Sequence, residues 1–341
     1  MIRKTLRILL PFALALGILW WMYRGTDWRG FFRDVASMHW GWMMFSLVFG
    51  VLAQQVRAWR WRQALEPLDE HPRRPTTEDA IFLSYATSLI VPRVGEVVRC
   101  GSLKRSDGVP FAKSFGTVLT ERVVDSLMIL MLTVMAMLSQ VPVFVAFLHT
   151  TGTDLRGILS RFTGTGYLVT LLCIAAAVGA AAFVVKKYSE RGKNLLRDLR
   201  DGILSLRHVR NLPLYLFWSL MIWVCYFLHF YVAFFAFDFT ASVSPAAAFL
   251  IFCVGSFAVL VPTPNGAGPW HFAVKTMLVL LYPAAVSESQ AILFALSVHT
   301  IQTALVALLG VYAWAHLALT SRSLPQRAAS QEGEEGVDSP K

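Results

Sequence analysis

Apolar runs recur from Leu6 to Leu319 with no long polar interval between them. A helix needs roughly 20 predominantly apolar residues to cross the hydrocarbon core of a bilayer, and several of these runs reach that length. Only 15% of the 341 residues are charged, whereas an ordinary soluble domain carries roughly 25%. The sequence therefore predicts an all-α polytopic membrane protein with no room for a separate soluble catalytic domain within these runs.

The apolar segments fall into two kinds by length. Two of them, Ala80–Leu103 and Ala246–Tyr282, are interrupted by helix-breaking residues and are typical of paired half-length helices. The others are long enough for about six full spans, at 6–23, 40–56, 115–138, 167–185, 212–237 and 292–317. We predict one transmembrane domain over residues 1–320 and a disordered cytoplasmic tail over 321–341, where apolar residues are too few to fold.

Lysine and arginine are distributed unequally between alternate loops. If the N-terminus is inside, most of the 31 Lys and Arg residues fall in segments that face the cytoplasm, including 57–79 and 186–210. This agrees with the positive-inside rule, so we expect both termini to be cytoplasmic. The same rule accounts for the net charge of +10 without nucleic-acid binding.

The two interrupted segments share an outline. The first break is at Pro92 and Gly95 and the second is Pro262–Pro269; each has an apolar run followed by Pro and Gly before a short helix. In the predicted topology they enter from opposite sides of the membrane, as two opposed re-entrant hairpins. Such a pair indicates an inverted repeat with a binding site near mid-membrane. Chance remains the alternative, because Pro and Gly are common in membrane loops.

Three ionisable residues lie at the first break. Glu96 and Arg99 are three residues apart on the half-helix that follows it, and Arg93 lies just before that helix. Two arginines and the free amides of a helix N-terminus are suited to a phosphate or another anion. The alternative is that Glu96 and Arg99 pair with each other to neutralise buried charge.

Glu121, Arg122 and Asp125 lie within five residues of the next apolar span. Charges in such a helix are costly unless they face the interior of the bundle, so we expect them to meet Arg93 or Arg99. Two interpretations stay open. The ion pairs either fix the hairpin to this span or take part in substrate binding.

The second break carries Asn265 and is followed by His271 and Lys275, which are four residues apart on one helical face. They form a second candidate face of the site, although a buried core histidine and a lysine that reaches the interface are simpler readings. The four cysteines are scattered, and no metal-ligand spacing or nucleophile motif is found. We therefore expect neither a cofactor nor an enzyme.

Three ordered motifs resemble a known family. They are Pro92-x-x-Gly95-Glu96-x-x-Arg99, Glu121-Arg122-x-x-Asp125 and Pro262-x-Pro264-Asn265-Gly266-x-Gly268. In this order they are similar to the transmembrane flippase-like domain of lysylphosphatidylglycerol synthases, over about residues 5–320. His271 departs from the family, which often has an acidic residue after the Gly-rich break, and this leaves the charge of the preferred head group open.

The resemblance implies a bacterial inner-membrane protein that moves a phospholipid or lipid-linked molecule between leaflets, and a homo-oligomer is compatible with it. Lysyl transfer is not expected, because the chain ends before an aminoacyl-transferase domain. Two other functions fit the same residues. One is an ion-coupled transporter of a small anionic solute, and the other is a scaffold or regulator of envelope-lipid synthesis in which the charges only hold helices together.

Overall fold

The computed structural model describes residues 28–139, 211–259, 261 and 263–321, together with 17, 19, 20, 24 and 209. All regular structure in these residues is helical. The α-helices are α1 (Trp28–Ser37), α2 (Trp40–Leu65), α3 (Arg74–Ile90), α4 (Val94–Asp107), α5 (Phe111–Ser139), α6 (Leu212–Ala233), α7 (Pro245–Ala258), α8 (Pro269–Leu281) and α9 (Glu288–Ser321). Short 3-10 helices occupy Glu66–Leu68, Phe234–Ala236 and Pro264–Gly266.

Local sequence explains several helix ends. Asn211 accepts a hydrogen bond from the backbone N–H of Leu214, and Ser244 does the same for Ala247, so both serve as N-caps. Proline stands in the first turn of α3, α6, α7 and α8, where its missing N–H costs nothing. Gly108 ends α4 in the left-handed region, with a φ of 74°.

The prediction of six full spans is not confirmed. By length and hydropathy, two helices in the described part could cross a membrane, Leu212–Ala236 and Glu288–Thr320. A third candidate is the pair Trp28–Ser37 and Trp40–Leu68, which is bent by 82°. Helix α5 is 29 residues long but carries four charged residues, Lys113, Glu121, Arg122 and Asp125, in its first 15 positions. The span predicted at 167–185 and nearly all of 6–23 lie outside the described residues, as does the predicted tail beyond Ser321.

The first interrupted segment is a helical hairpin, as predicted. Helices α3 and α4 are separated only by residues 91–93, and the two pack against each other. Arg73 and Asp107 join the base of this hairpin, with Nη2 of Arg73 2.7 Å from Oδ1 of Asp107. Near the tip, Gly95 lies so close to α3 that a Cβ built on it would overlap the carbonyl oxygen of Ser84. Glycine is therefore required there for close approach of the two helices.

Replacing Gly95 by alanine should destabilise the protein by about 1–3 kcal/mol, because the two helices of the hairpin would have to separate. Thermal unfolding in detergent measures the effect. The control is Gly101→Ala on the same helix, where a Cβ meets nothing within 4 Å. That change should be neutral or stabilising by up to about 1 kcal/mol, since alanine favours helix over glycine. Equal melting temperatures for the two variants would contradict the close approach.

The second interrupted segment is also a pair of short helices, α7 and α8, which pack on each other. Between them the backbone turns sharply through Asn265, Gly266 and Gly268, whose φ angles are 53°, 71° and 89°. Glycine adopts such angles freely, and asparagine tolerates them better than most residues. Leu260 and Pro262 of this break lie outside the described residues. The sequence thus predicted both interruptions at the right places.

Helix α9 packs against both hairpins. Its His316 contacts Asp79 early in α3, with Nδ1 2.5 Å from Oδ2, whereas its Gly310 lies against Ala86, two turns later. Helices α3 and α9 are therefore antiparallel. The last residue of α3, Ile90, is one turn beyond Ala86. It therefore lies beside the middle of α9, at positions just before Gly310.

The second break reaches the same part of α9. Asn265 Nδ2 donates a hydrogen bond to Oγ1 of Thr303 at 2.7 Å, and His299 Nε2 lies 3.1 Å from the carbonyl oxygen of Asn265. The Pro264–Gly266 turn also contacts α3 directly. The tips of the two hairpins thus converge on the middle of α9.

Candidate functional site

Asp125 is the centre of a buried cluster of charges. Its two carboxylate oxygens accept hydrogen bonds from different arginines of α2, Oδ2 from Arg57 Nη1 at 2.7 Å and Oδ1 from Arg60 Nη1 at 2.8 Å. Arg60 Nη1 also donates to the Ser219 hydroxyl of α6 at 3.1 Å. One carboxylate of α5 therefore holds two arginines that are three residues apart on one face of α2.

A second carboxylate of α5 extends the cluster to the first hairpin. Oε2 of Glu121 accepts a hydrogen bond from Arg99 Nη2 at 2.8 Å, and its Oε1 lies 3.9 Å from Arg60 Nε. The five residues Arg57, Arg60, Arg99, Glu121 and Asp125 are 0–7% exposed. We call them the buried network. It joins α2, α4 and α5, and no member lies on a loop.

Aromatic rings surround the arginines of the buried network. The guanidinium carbon of Arg99 is 4.6 Å from the centroid of the Trp61 ring, and that of Arg60 is 5.6 Å from the centroid of Tyr215. Contacts of this kind favour guanidinium over ammonium because the planar group stacks as well as donating hydrogen bonds. The rings also exclude water, which strengthens every charged contact inside.

The network has one partly exposed edge. Arg122 of α5 lies 3.4 Å from Glu96 of α4 and 3.7 Å from Asp125, measured from Nε and Nη2 respectively. The side chains of Arg122 and Glu96 are 42% and 26% exposed. We call them the edge pair. It borders the buried network and is the part of the charged cluster that an outside molecule meets first.

The structure brings together five of the nine predicted site residues: Glu96, Arg99, Glu121, Arg122 and Asp125. Of the two arginines expected to meet the acidic residues of α5, Arg99 does so. Arg93 takes the left-handed conformation, with a φ of 64°, in the loop before α4 and is exposed.

The other three predicted residues lie at or beyond the second break. Asn265 is bonded to α9, and the His271 ring is buried, 4.4 Å between centroids from the ring of His299. Lys275 pairs with Glu288 at the start of α9, at 3.1 Å. Asn265 and Lys275 are thus both bonded to α9, and the predicted second cationic face belongs to the packing between α8 and α9.

Two residues of the buried network were absent from the sequence prediction. The second span was expected to end at Val56, with Arg57 and Arg60 in a cytoplasmic loop; this was wrong, because α2 continues to Leu65 and buries both arginines. A signal was present. No glycine or proline follows Val56 before Pro67, and the arginines have helical spacing within a run that contains Trp59 and Trp61.

In the described part of the chain, no group of three or more His, Cys, Asp or Glu side chains is arranged to hold a metal ion. The cluster consists of guanidinium and carboxylate groups, whose chemistry is that of charge and hydrogen bonding. Guanidinium groups bind carboxylate and phosphate oxygens through paired N–H donors. Such a cluster is suited to bind, orient or release an anionic group, and equally to hold three helices together.

A family model for the transmembrane region of lysylphosphatidylglycerol synthase matches residues 8–310. No curated protein and no solved structure matches the chain. The match covers most of the chain, including both hairpins and the charged residues between them. With the apolar helices, it identifies a multi-pass membrane protein.

Proposed function

Because the chain belongs to the lysylphosphatidylglycerol synthase transmembrane-region family, a family linked to lipid handling, we propose that it moves a phospholipid or lipid-linked molecule between the leaflets of a bacterial cytoplasmic membrane. The observation that carries the proposal is the charged cluster beside a broken hairpin. Ionised groups inside a membrane frame are costly and are kept mainly for function. Irregular backbone at that depth must also be buried in protein or line a polar cavity.

The arrangement suggests how a polar head group would cross. The edge pair is held at 3.4 Å and Arg122 lies 3.7 Å from Asp125, whereas the hydrogen bonds of the buried network are 2.7–2.8 Å long. A head group would first displace Glu96 from Arg122 and then reach the arginines beside Asp125, while its acyl chains stay in the bilayer. Both hairpins contact α9, so rocking of one hairpin against the other about α9 would change access between leaflets.

The edge pair provides the first test of this function. Arg122→Gln and Glu96→Gln should each slow lipid movement at least about tenfold, because the first removes the cation that the head group meets and the second removes the carboxylate that orients this cation; one charged hydrogen bond is worth about that factor. The measurement uses purified protein in phosphatidylethanolamine–phosphatidylglycerol vesicles. The accessibility of a phosphatidylglycerol with a fluorescent acyl chain to an external quencher is followed with time.

The matched control is Lys104→Gln, on the same helix as Glu96 but exposed to solvent. It removes one charge from α4 without touching the cluster, and it should leave the rate of lipid movement unchanged. Melting temperatures show whether all three variants fold. We expect them to stay close to that of the wild type, since partly exposed side chains tolerate substitution well. The proposed function fails if the two edge variants move lipid as fast as the control.

A further inference from the structure

Positive charge exceeds negative charge within the buried network. Three guanidinium groups, Arg57, Arg60 and Arg99, face the two carboxylates Glu121 and Asp125. The edge pair adds one charge of each sign, so the excess of positive charge is unchanged. No other carboxylate of the described residues lies within 4.0 Å of these three arginines. A surplus positive charge at nearly zero exposure is costly unless an anion joins it.

The same arginines have hydrogen-bond donors to spare. Arg99 Nε and Nη1, Arg60 Nη2 and Arg57 Nε are all buried, and no hydrogen-bond acceptor meets them in the described part of the chain. Arg60 Nε faces Glu121 Oε1, which is too far for a hydrogen bond at 3.9 Å. The Tyr215 hydroxyl, beside Arg60, is also buried without a hydrogen-bond partner in the described part of the chain. Buried donors are nearly always satisfied in folded proteins, so several of them clustered on adjacent groups indicate a ligand that accepts hydrogen bonds.

The chemistry of the donors narrows the class of ligand. A tetrahedral phosphate has several acceptor oxygens and at least one negative charge, and it can accept from two or three guanidinium groups at once. Three arginines beside aromatic rings are better suited to bind a phosphate than an amine or a neutral sugar. An amine or a sugar would add hydrogen-bond donors to a site that already has donors in excess.

We propose that the buried network is a binding site for a phosphate group, with Arg60 and Arg99 as its main donors and the edge pair as its entrance. The proposal rests on the function above and deepens it, since it names the part of the lipid that the protein holds. The phosphate diester of a lipid head group and free inorganic phosphate share this chemistry. The phosphate joins the two carboxylates of α5 and accepts from the arginine donors that they leave free.

Binding is tested by titrating purified full-length protein in detergent with inorganic phosphate and, separately, with a water-soluble short-chain phosphatidic acid. Chloride at the same ionic strength provides the baseline. We expect saturable binding that weakens at least about tenfold in Arg60→Lys and in Arg99→Lys, because lysine keeps the charge but loses the planar donors. Arg105→Lys, an exposed change on α4, should bind like the wild type.

A further variant distinguishes loss of binding from loss of folding. Arg60→Gln leaves two guanidinium groups facing two carboxylates, so the network is balanced and should fold, and its affinity should fall by a similar factor. Binding of both probes assigns the site to phosphate from either source, and binding of one alone identifies that source. Absence of saturable binding to the wild type, or equal affinity in Arg60→Gln, overturns the proposal. Titration in detergent needs no lipid movement, so a protein that binds phosphate but does not move lipid contradicts only the proposed function.

Discussion

Replacing Asp125 by alanine should lower the free energy of unfolding by about 3–5 kcal/mol, which is the cost of removing one partner from a buried ion pair. Asp125 accepts from Arg57 at 2.7 Å and from Arg60 at 2.8 Å. Its loss leaves both guanidinium groups deep in the protein with a single carboxylate, Glu121, for three arginines. Equilibrium unfolding in mixed detergent micelles measures the change.

The control for this variant is Glu96→Ala. Glu96 belongs to the edge pair, and its side chain is 26% exposed, so water replaces much of what the mutation removes. Exposed ion pairs contribute up to about 1 kcal/mol, and we expect Glu96→Ala to stay within that range. If Asp125→Ala proves as mild as Glu96→Ala, the buried network is not the stabilising contact that the distances indicate.

The pair of Arg99 and Glu121 should show a large coupling in a double-mutant cycle. Arg99→Met and Glu121→Leu should each cost about 3–5 kcal/mol, since each takes away the hydrogen-bonded partner of a charge that is at 0–1% exposure. The double variant removes both charges and fills the space with apolar groups. Its loss should be smaller than the sum of the single losses by at least about 2 kcal/mol. Recovery will be incomplete, because Glu121 also lies 3.9 Å from Arg60.

A second ion pair in the chain provides a matched cycle. Lys275 and Glu288 are 3.1 Å apart, but the Glu288 side chain is 71% exposed. Lys275→Met and Glu288→Leu should therefore couple by less than about 1 kcal/mol. Similar coupling energies for the two pairs would mean that burial does not strengthen the contact between α4 and α5.

The sequence predicted the architecture around the breaks well. Proline and glycine at Pro92 and Gly95, and again over Pro262–Pro269, interrupt apolar runs that are otherwise helical, and the structure has a hairpin at each. The pairing of Arg99 with Glu121 was also predicted, because charges in neighbouring apolar helices have few other partners. The inverted repeat, the cytoplasmic termini and a homo-oligomer stay predictions.

Arg57 and Arg60 show where sequence reasoning failed. Basic residues after an apolar run were assigned to a cytoplasmic loop by the positive-inside rule, which counts charges but does not see where a helix ends. Helix α2 extends nine residues beyond the predicted end of its span. Only the three-dimensional packing of α2 against α5 shows that these arginines face carboxylates rather than water. The exposure of Arg93 was missed for a similar reason, because the sequence did not predict the left-handed turn before α4.

The rate of lipid movement in vesicles that contain the Arg99→Met, Glu121→Leu double variant shows whether the buried network takes part in lipid transfer. This variant keeps the packing between α4 and α5 but removes one donor and one carboxylate from the site. If the buried network holds the head group during transfer, the wild type speeds up lipid movement and the folded double variant does not exceed protein-free vesicles. If the double variant moves lipid at the wild-type rate, these charges only hold helices together, and the proposed role of the buried network in transfer is contradicted.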